Sequence, residues 1–156
     1  MRPTTSADPN CDFCEIVSRD ENAREVFRTN TVVAFFPPEP ATLGHTLLIP
    51  RVHVRDIWHL DRELAAELAR WTVDLAETVR RVMKPDGLNV IQSNGAAATQ
   101  TVMHLHIHVV PRWEGDNVGH IWPPETHWSE DQKSSVWEAL RQEFRTTQSL
   151  SDETPR

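Results

Sequence analysis

Apolar residues recur at spacings of three and four from Asp61 to Met83, at Leu64, Leu68, Trp71, Leu75 and Val79. That period is one face of an α-helix. Asp61 suits its N-cap, with Glu63 close behind, and Pro85 and Gly87 stop it. A shorter stripe of Val136, Leu140 and Phe144 predicts a second helix from Ser129 to Phe144. Elsewhere the pattern is β-like. Glu25 to Arg28 and Thr31 to Phe36 flank Thr29-Asn30 and read as a hairpin. Phe36-Pro37-Pro38-Glu39-Pro40 must be a loop, because three prolines remove three donors. His45 to Ile49 is a third strand, closed by Pro50. Leu88 to Gln92 and Thr101 to Val110 are two more, joined by the small residues Gly95 to Ala98. Asp12 to Ser18 reads as a short helical turn. Three strands before one long helix and two after it, without repeated βαβ units, predict an α+β fold with a mainly antiparallel sheet of about five strands and a C-terminal helix. Residues 1–10 read as a flexible arm, 11–145 as a single domain and 146–156 as a disordered tail.

A chain of 156 residues holds one core of ordinary size. Its 38% hydrophobic and 25% charged residues exclude a disordered or fibrous chain. No apolar run approaches the roughly 18 residues of a membrane span. The first ten residues lack the apolar stretch of a signal peptide, so the expected compartment is the cytosol. The net charge of −7 argues against a nucleic-acid or anionic-membrane partner and still permits a local anion pocket.

Cys11 and Cys14 are too few for a disulfide framework. Half of a zinc site and a redox dithiol remain. A redox pair usually follows a strand, and nothing before Cys11 reads as one, so zinc is favoured once two further ligands are found.

From Met103 to Val110 the alternation is strict. Leu105, Ile107 and Val109 face one way, and His104, His106 and His108 the other. An extended strand would space those imidazoles by about 6.6–7 Å on one face. Such a face points to catalysis or metal binding, because imidazole is both nucleophile and ligand near neutral pH.

His104-Leu105-His106-Ile107-His108-Val109-Val110 resembles the motif of the histidine-triad family. Val33-Ala34-Phe35, Gly44 to Pro50, Arg51-Val52-His53, Asn94-Gly95 and Gln100-Thr101-Val102 are similar to that family's segments and fall in the same order. The resemblance runs from about Cys11 to Trp122. It is nearest the Hint-like branch with an N-terminal Cys-x-x-Cys, and Ile121-Trp122-Pro123-Pro124 is similar to that branch's tryptophan-containing C-terminal segment.

The resemblance implies a HIT-like fold and a nucleotide-binding hydrolase or transferase that attacks the α-phosphorus of a nucleoside-monophosphate derivative. It makes His106 the nucleophile, with His108, Gln100 and the Thr101 hydroxyl donating to phosphate oxygens, and places Ser93, Asn94 and Trp122 around the nucleotide. It implies a structural zinc held by Cys11, Cys14, His53 and His104; on spacing alone His45 could replace His53. It further implies a homodimer with packed long helices and a continuous sheet, Trp71 being a candidate contact and Trp122 reaching toward the partner's site. A Fhit-like dinucleoside polyphosphate hydrolase or phosphorylase is the alternative that Val110-Pro111-Arg112 would also suit. A non-enzymatic nucleotide-binding scaffold is a third reading, against which His106 and His108 argue. The chain departs from the Hint-like pattern at Pro37, where an Asp usually holds the ribose, leaving Glu39 as a possible acceptor. It departs again at Thr99, where a glycine is usual. His59, His120 and His127 lie near tryptophans and read as loop or packing residues.

Overall fold

The Asp61 carboxylate accepts from the Leu64 amide at 2.9 Å and starts the long helix α2, Arg62–Met83. The helix ends at Lys84, which takes a left-handed conformation (φ 47°). The computed structural model describes residues 7–19 and 23–152. Before α2 come α1 (Asp12–Ser18) and the strands β1 (Arg24–Arg28), β2 (Val32–Phe36) and β3 (Thr46–Pro50). After it come β4 (Gly87–Gln92), β5 (Ile107–Arg112) and α3 (Glu130–Asp152). The five strands form one sheet in the order β1-β2-β3-β5-β4, and every pairing is antiparallel. The class is α+β, as expected.

Residue alternation along the central strands gives the sheet two covered faces. Val32, Ala34, Leu48 and Val109 pack with Leu68, Leu75 and Val79 of α2 on one face. Val33, Phe35, Leu47 and Ile49 pack with Phe13 and Cys14 of α1 on the other. Trp71 joins the α2 side, its ring 5.3 Å from that of Phe27, so it is used within the chain. Gly44 lets the loop before β3 close against the end of α2. Its φ is +89°, and a Cβ there would lie 2.8 Å from Met83 Cγ.

Several boundaries differ from expectation. The last strand begins at Ile107, not Thr101, because the Leu105 amide bonds to the Val54 carbonyl instead of the sheet neighbour. Residues 1–6 of the expected arm lie outside the described residues, while Asp8 organises a turn by accepting from the Asn10 amide and, through its carbonyl, from Cys11. The C-terminal helix runs on to Asp152, through most of the stretch expected as a tail; residues 153–156 lie outside the described residues. The chain forms two compact units, one up to Gly119 and one from His120 onward. The second unit carries α3, on which Val136, Trp137, Leu140 and Phe144 are all exposed. Among the described residues no helix is long and apolar enough to cross a membrane.

Candidate functional site

The α1 face of the sheet gathers the histidines. Leu47 pairs with His108 across β3 and β5, and Phe35 with Leu47 across β2 and β3, so the three side chains share that face. His104 and His106 lie just before β5, and the Phe13 ring stands edge-on to both, at 6.0 and 5.1 Å. The alternation read from the sequence therefore holds beyond the strand itself.

Each triad ring is oriented by a different partner. His104 is fully buried and its Nε2–H donates to the Pro50 carbonyl at 2.8 Å. Its Nδ1 is then a lone pair, facing Cys11 Sγ at 3.5 Å and Cys14 Sγ at 3.6 Å. His106 Nδ1–H donates to the His104 carbonyl at 2.7 Å, which leaves the lone pair on Nε2. His108 is half-buried, its ring 4.9 Å from that of His106. Desolvation lowers all three from the ordinary histidine value of 6.5, with His104 and His108 brought down to about 4. All three rings are neutral at pH 7.

Cys11, Cys14, His53 and His104 form one cluster, with a ligand atom from each lying within 4.8 Å of the others. Cys11 is the N-cap of α1 and Cys14 follows one turn later, which brings both sulfurs to the same side. Cys14 Sγ lies 3.3 Å from His53 Nδ1. Tetrahedral zinc bonds of about 2.3 Å to sulfur and 2.1 Å to nitrogen would set sulfur–nitrogen separations near 3.6 Å, matching these distances. The Pro50 carbonyl on His104 Nε2–H is the outer-sphere partner that metal-bound imidazoles usually have. Burial raises the Cys14 thiol above its ordinary value, a cost that a bound cation would offset. The donor set fits zinc. His45, considered for this set on spacing, lies elsewhere: its Nε2 is 3.0 Å from His108 Nδ1.

The loop before the triad is built by residues expected to touch phosphate. Gln100 is buried, and its amide donates to the carbonyls of Arg55 and Val102 at 2.8 and 3.1 Å while its oxygen accepts from the Gly95 amide. Both amide hydrogens are thus used, and Gln100 shapes the loop. Asn94 is held likewise, exchanging hydrogen bonds with Gln92 and accepting from the Ile57 amide. Ser93 lies beside them, half-buried. Thr101 is exposed, and among the described residues its hydroxyl makes no hydrogen bond. Trp122 belongs to the second unit and is 81% exposed.

A cleft of about 600 Å³ opens beside α1, lined by Ile16, Phe35, Phe36 and Pro37 together with Asp12 and Glu15. Phe35 is two strands from His108, about 10 Å across the sheet. The sequence reads Pro37 as a loop residue and a departure from the Hint-like pattern; its place in the wall of this cleft comes from the fold.

A family model described as the HIT domain matches residues 18–115. The chain belongs to the HIT family. "Protein hit" of Bacillus subtilis is 36% identical over 119 residues, covering 76% of this chain and 81% of that protein. Adenosine 5'-monophosphoramidase hnt1 of Schizosaccharomyces pombe is 32% identical over 115 residues, covering 73% and 84%. The solved structure of a zinc-bound histidine triad family protein from Mycobacterium smegmatis matches at 33% identity with a TM-score of 0.66, covering 88% of this chain and 97% of that one. The family thus carries the fold, and the Cys11, Cys14, His53 and His104 cluster is in keeping with its zinc-carrying, Hint-like branch.

Proposed function

We propose that this HIT protein is a nucleoside phosphoramidase-like hydrolase or transferase that works through a nucleotidyl-histidine on His106. The bond from His106 Nδ1–H to the His104 carbonyl carries the reading, because it commits the Nε2 lone pair to attack. The similarity to an adenosine 5'-monophosphoramidase supports the substrate class. In the first step Nε2 bonds to the α-phosphorus and the phosphorus–nitrogen bond breaks. A bound water gives its proton to the amine as that bond breaks, and the hydroxide left behind then attacks phosphorus and releases the histidine. His108 is neutral at pH 7, so it serves as a hydrogen-bond donor to phosphate oxygens rather than as the acid. The Thr101 hydroxyl is a second donor. Ser93 and Asn94 shape the loop beside them, and the cleft with Ile16, Phe35 and Pro37 suits the nucleoside.

Cys11, Cys14, His53 and His104 would hold a structural zinc. Bound there, it ties α1 to the segment that carries the nucleophile and supplies no substrate chemistry. Reduced thiolates of this kind suit the cytosol. The open edge of β4, with Val90 exposed, and the exposed Val73 and Val82 on α2 suit a homodimer with a continuous sheet. In that dimer Trp122 would reach the partner's site. The net charge of −7 argues against nucleic acid or an anionic membrane as partner, which leaves a small nucleotide as the partner proposed.

Steady-state turnover of an amine nucleoside phosphoramidate beside a diadenosine polyphosphate tests the proposal. Faster turnover of the phosphoramidate is expected. Preference for the polyphosphate would favour the dinucleoside polyphosphate reading, and binding without turnover of either would favour a scaffold.

A further inference from the structure

We infer that His45 is a positioning residue which, through a hydrogen-bond chain starting at the Ala41 backbone amide, holds His108 as an Nε2–H donor, a role that rests on the nucleotidyl-transfer reading above. The Ala41 amide donates to His45 Nδ1 at 3.0 Å. A backbone amide can only donate, so Nδ1 must be a lone pair. His45 is buried, and desolvation keeps it neutral, so its hydrogen is on Nε2. That Nε2 lies 3.0 Å from His108 Nδ1, and the two rings sit 5.2 Å apart at 33°. His108 Nδ1 is thereby the acceptor. A neutral His108 then carries its hydrogen on Nε2, to which no described residue offers an acceptor.

The chain has a fixed direction because its first donor cannot reverse. It ends in the opposite polarity to the neighbouring ring: His106 presents a lone pair at Nε2 and His108 a hydrogen. One attacks phosphorus while the other meets a phosphate oxygen. With the His45 donor gone, His108 could place its hydrogen on Nδ1 and turn a lone pair toward that oxygen, which repels. The loop that supplies the amide is itself anchored. The Thr42 hydroxyl donates to the Pro111 carbonyl on β5 at 2.7 Å, and the His45 amide donates to the Thr42 carbonyl at 3.1 Å. The first link is therefore tied to the strand that carries His108.

The test is a long-range nitrogen–carbon NMR spectrum of the zinc-loaded, isotope-labelled protein, which distinguishes the two neutral tautomers of each imidazole. Wild-type His45 and His108 should both be protonated at Nε2, with His106 protonated at Nδ1. In His45→Leu the single His108 tautomer should be lost and kcat should fall about tenfold, equivalent to about 1.4 kcal/mol of barrier, with KM changing by less than about twofold. His45→Gln places an amide N–H near the Nε2 position and should recover most of kcat. A wild-type spectrum with His108 protonated at Nδ1 overturns the role, even if His45→Leu fails to fold. So does a folded His45→Leu with wild-type kcat. The spectrum requires no turnover: a wild-type protein inactive on every phosphoramidate would reject the proposed function, whereas the tautomers alone decide the relay.

Discussion

The His106 Nδ1–H donates to the His104 carbonyl oxygen at 2.7 Å, while the ring of His104 lies in the Cys11, Cys14 and His53 cluster. One residue thus joins the two halves of the site. Its imidazole belongs to the four-residue Cys/His cluster and its backbone carbonyl orients His106, the proposed nucleophile. Anything that moves the His104 ring moves the acceptor that selects the His106 tautomer.

His106→Ala should lower kcat by about a thousandfold or more and leave nucleotide binding and the melting temperature near wild type. Intact mass spectrometry during turnover of a slow substrate should find a nucleotidyl adduct on the wild type and none on the variant. Turnover by His106→Ala near the wild-type rate would reject the mechanism.

Protein purified without chelators should carry about one zinc per chain. Cys11→Ser should reduce the metal content and lower the melting temperature by about 5 °C or more. Because His104 links the cluster to His106, zinc removal should also depress kcat more than it changes KM. Elemental analysis that finds no zinc rejects the site.

Acid should act on both activity and stability. Burial lowers His106 from 6.5, so its lone pair persists as pH falls through 6.5, and kcat/KM should decline only below that value. His108 is about 4 in the folded protein, lowered first by burial and then by its His106 and His45 neighbours, against 6.5 unfolded. Between those values the unfolded chain binds more protons, so its contribution to stability is fully present above 6.5 and is lost as pH falls toward 4. Melting temperatures at pH 7.5 and 5, with zinc measured at each pH, check the sign. A melting temperature that rises on acidification would contradict it.

Gly44→Ala should destabilise the fold by about 1–3 kcal/mol, because the new methyl group meets Met83 in a backbone conformation that favours glycine. Chemical denaturation measures this directly. An unchanged midpoint would mean that the end of α2 yields freely.

Sedimentation equilibrium at micromolar concentration should return about twice the 17.9 kDa of one chain. Trp122→Ala should then change relative rates among substrates more than it changes stability. A monomer mass rejects the dimer, and unchanged relative rates reject only the role of Trp122.

The sequence alone determined the order and type of the main elements and which residues share the histidine face. Spacings of three and four from Leu64 to Val79 specify a helix, prolines place the loop at Pro37 to Pro40, and alternation from His104 to His108 sorts imidazoles from aliphatics. These signals are local, and local periodicity needs no knowledge of what packs nearby. The grouping of Cys11, Cys14 and His104 with a further histidine is also legible, though only the family resemblance prefers His53 to His45.

Tertiary structure decided what each polar group is bonded to. Gln100 looked free to meet phosphate, yet Gly95, Arg55 and Val102 use its amide. His45 looked like a spare ligand, and antiparallel pairing of β3 with β5 sets it against His108 instead. His104 looked like a strand residue, but the Val54 carbonyl draws the Leu105 amide out of the ladder. Each partner lies far away in sequence, or depends on where a loop closes. A donor or acceptor is assigned by whichever group the packed chain brings within about 3 Å, and no residue type or spacing encodes that proximity.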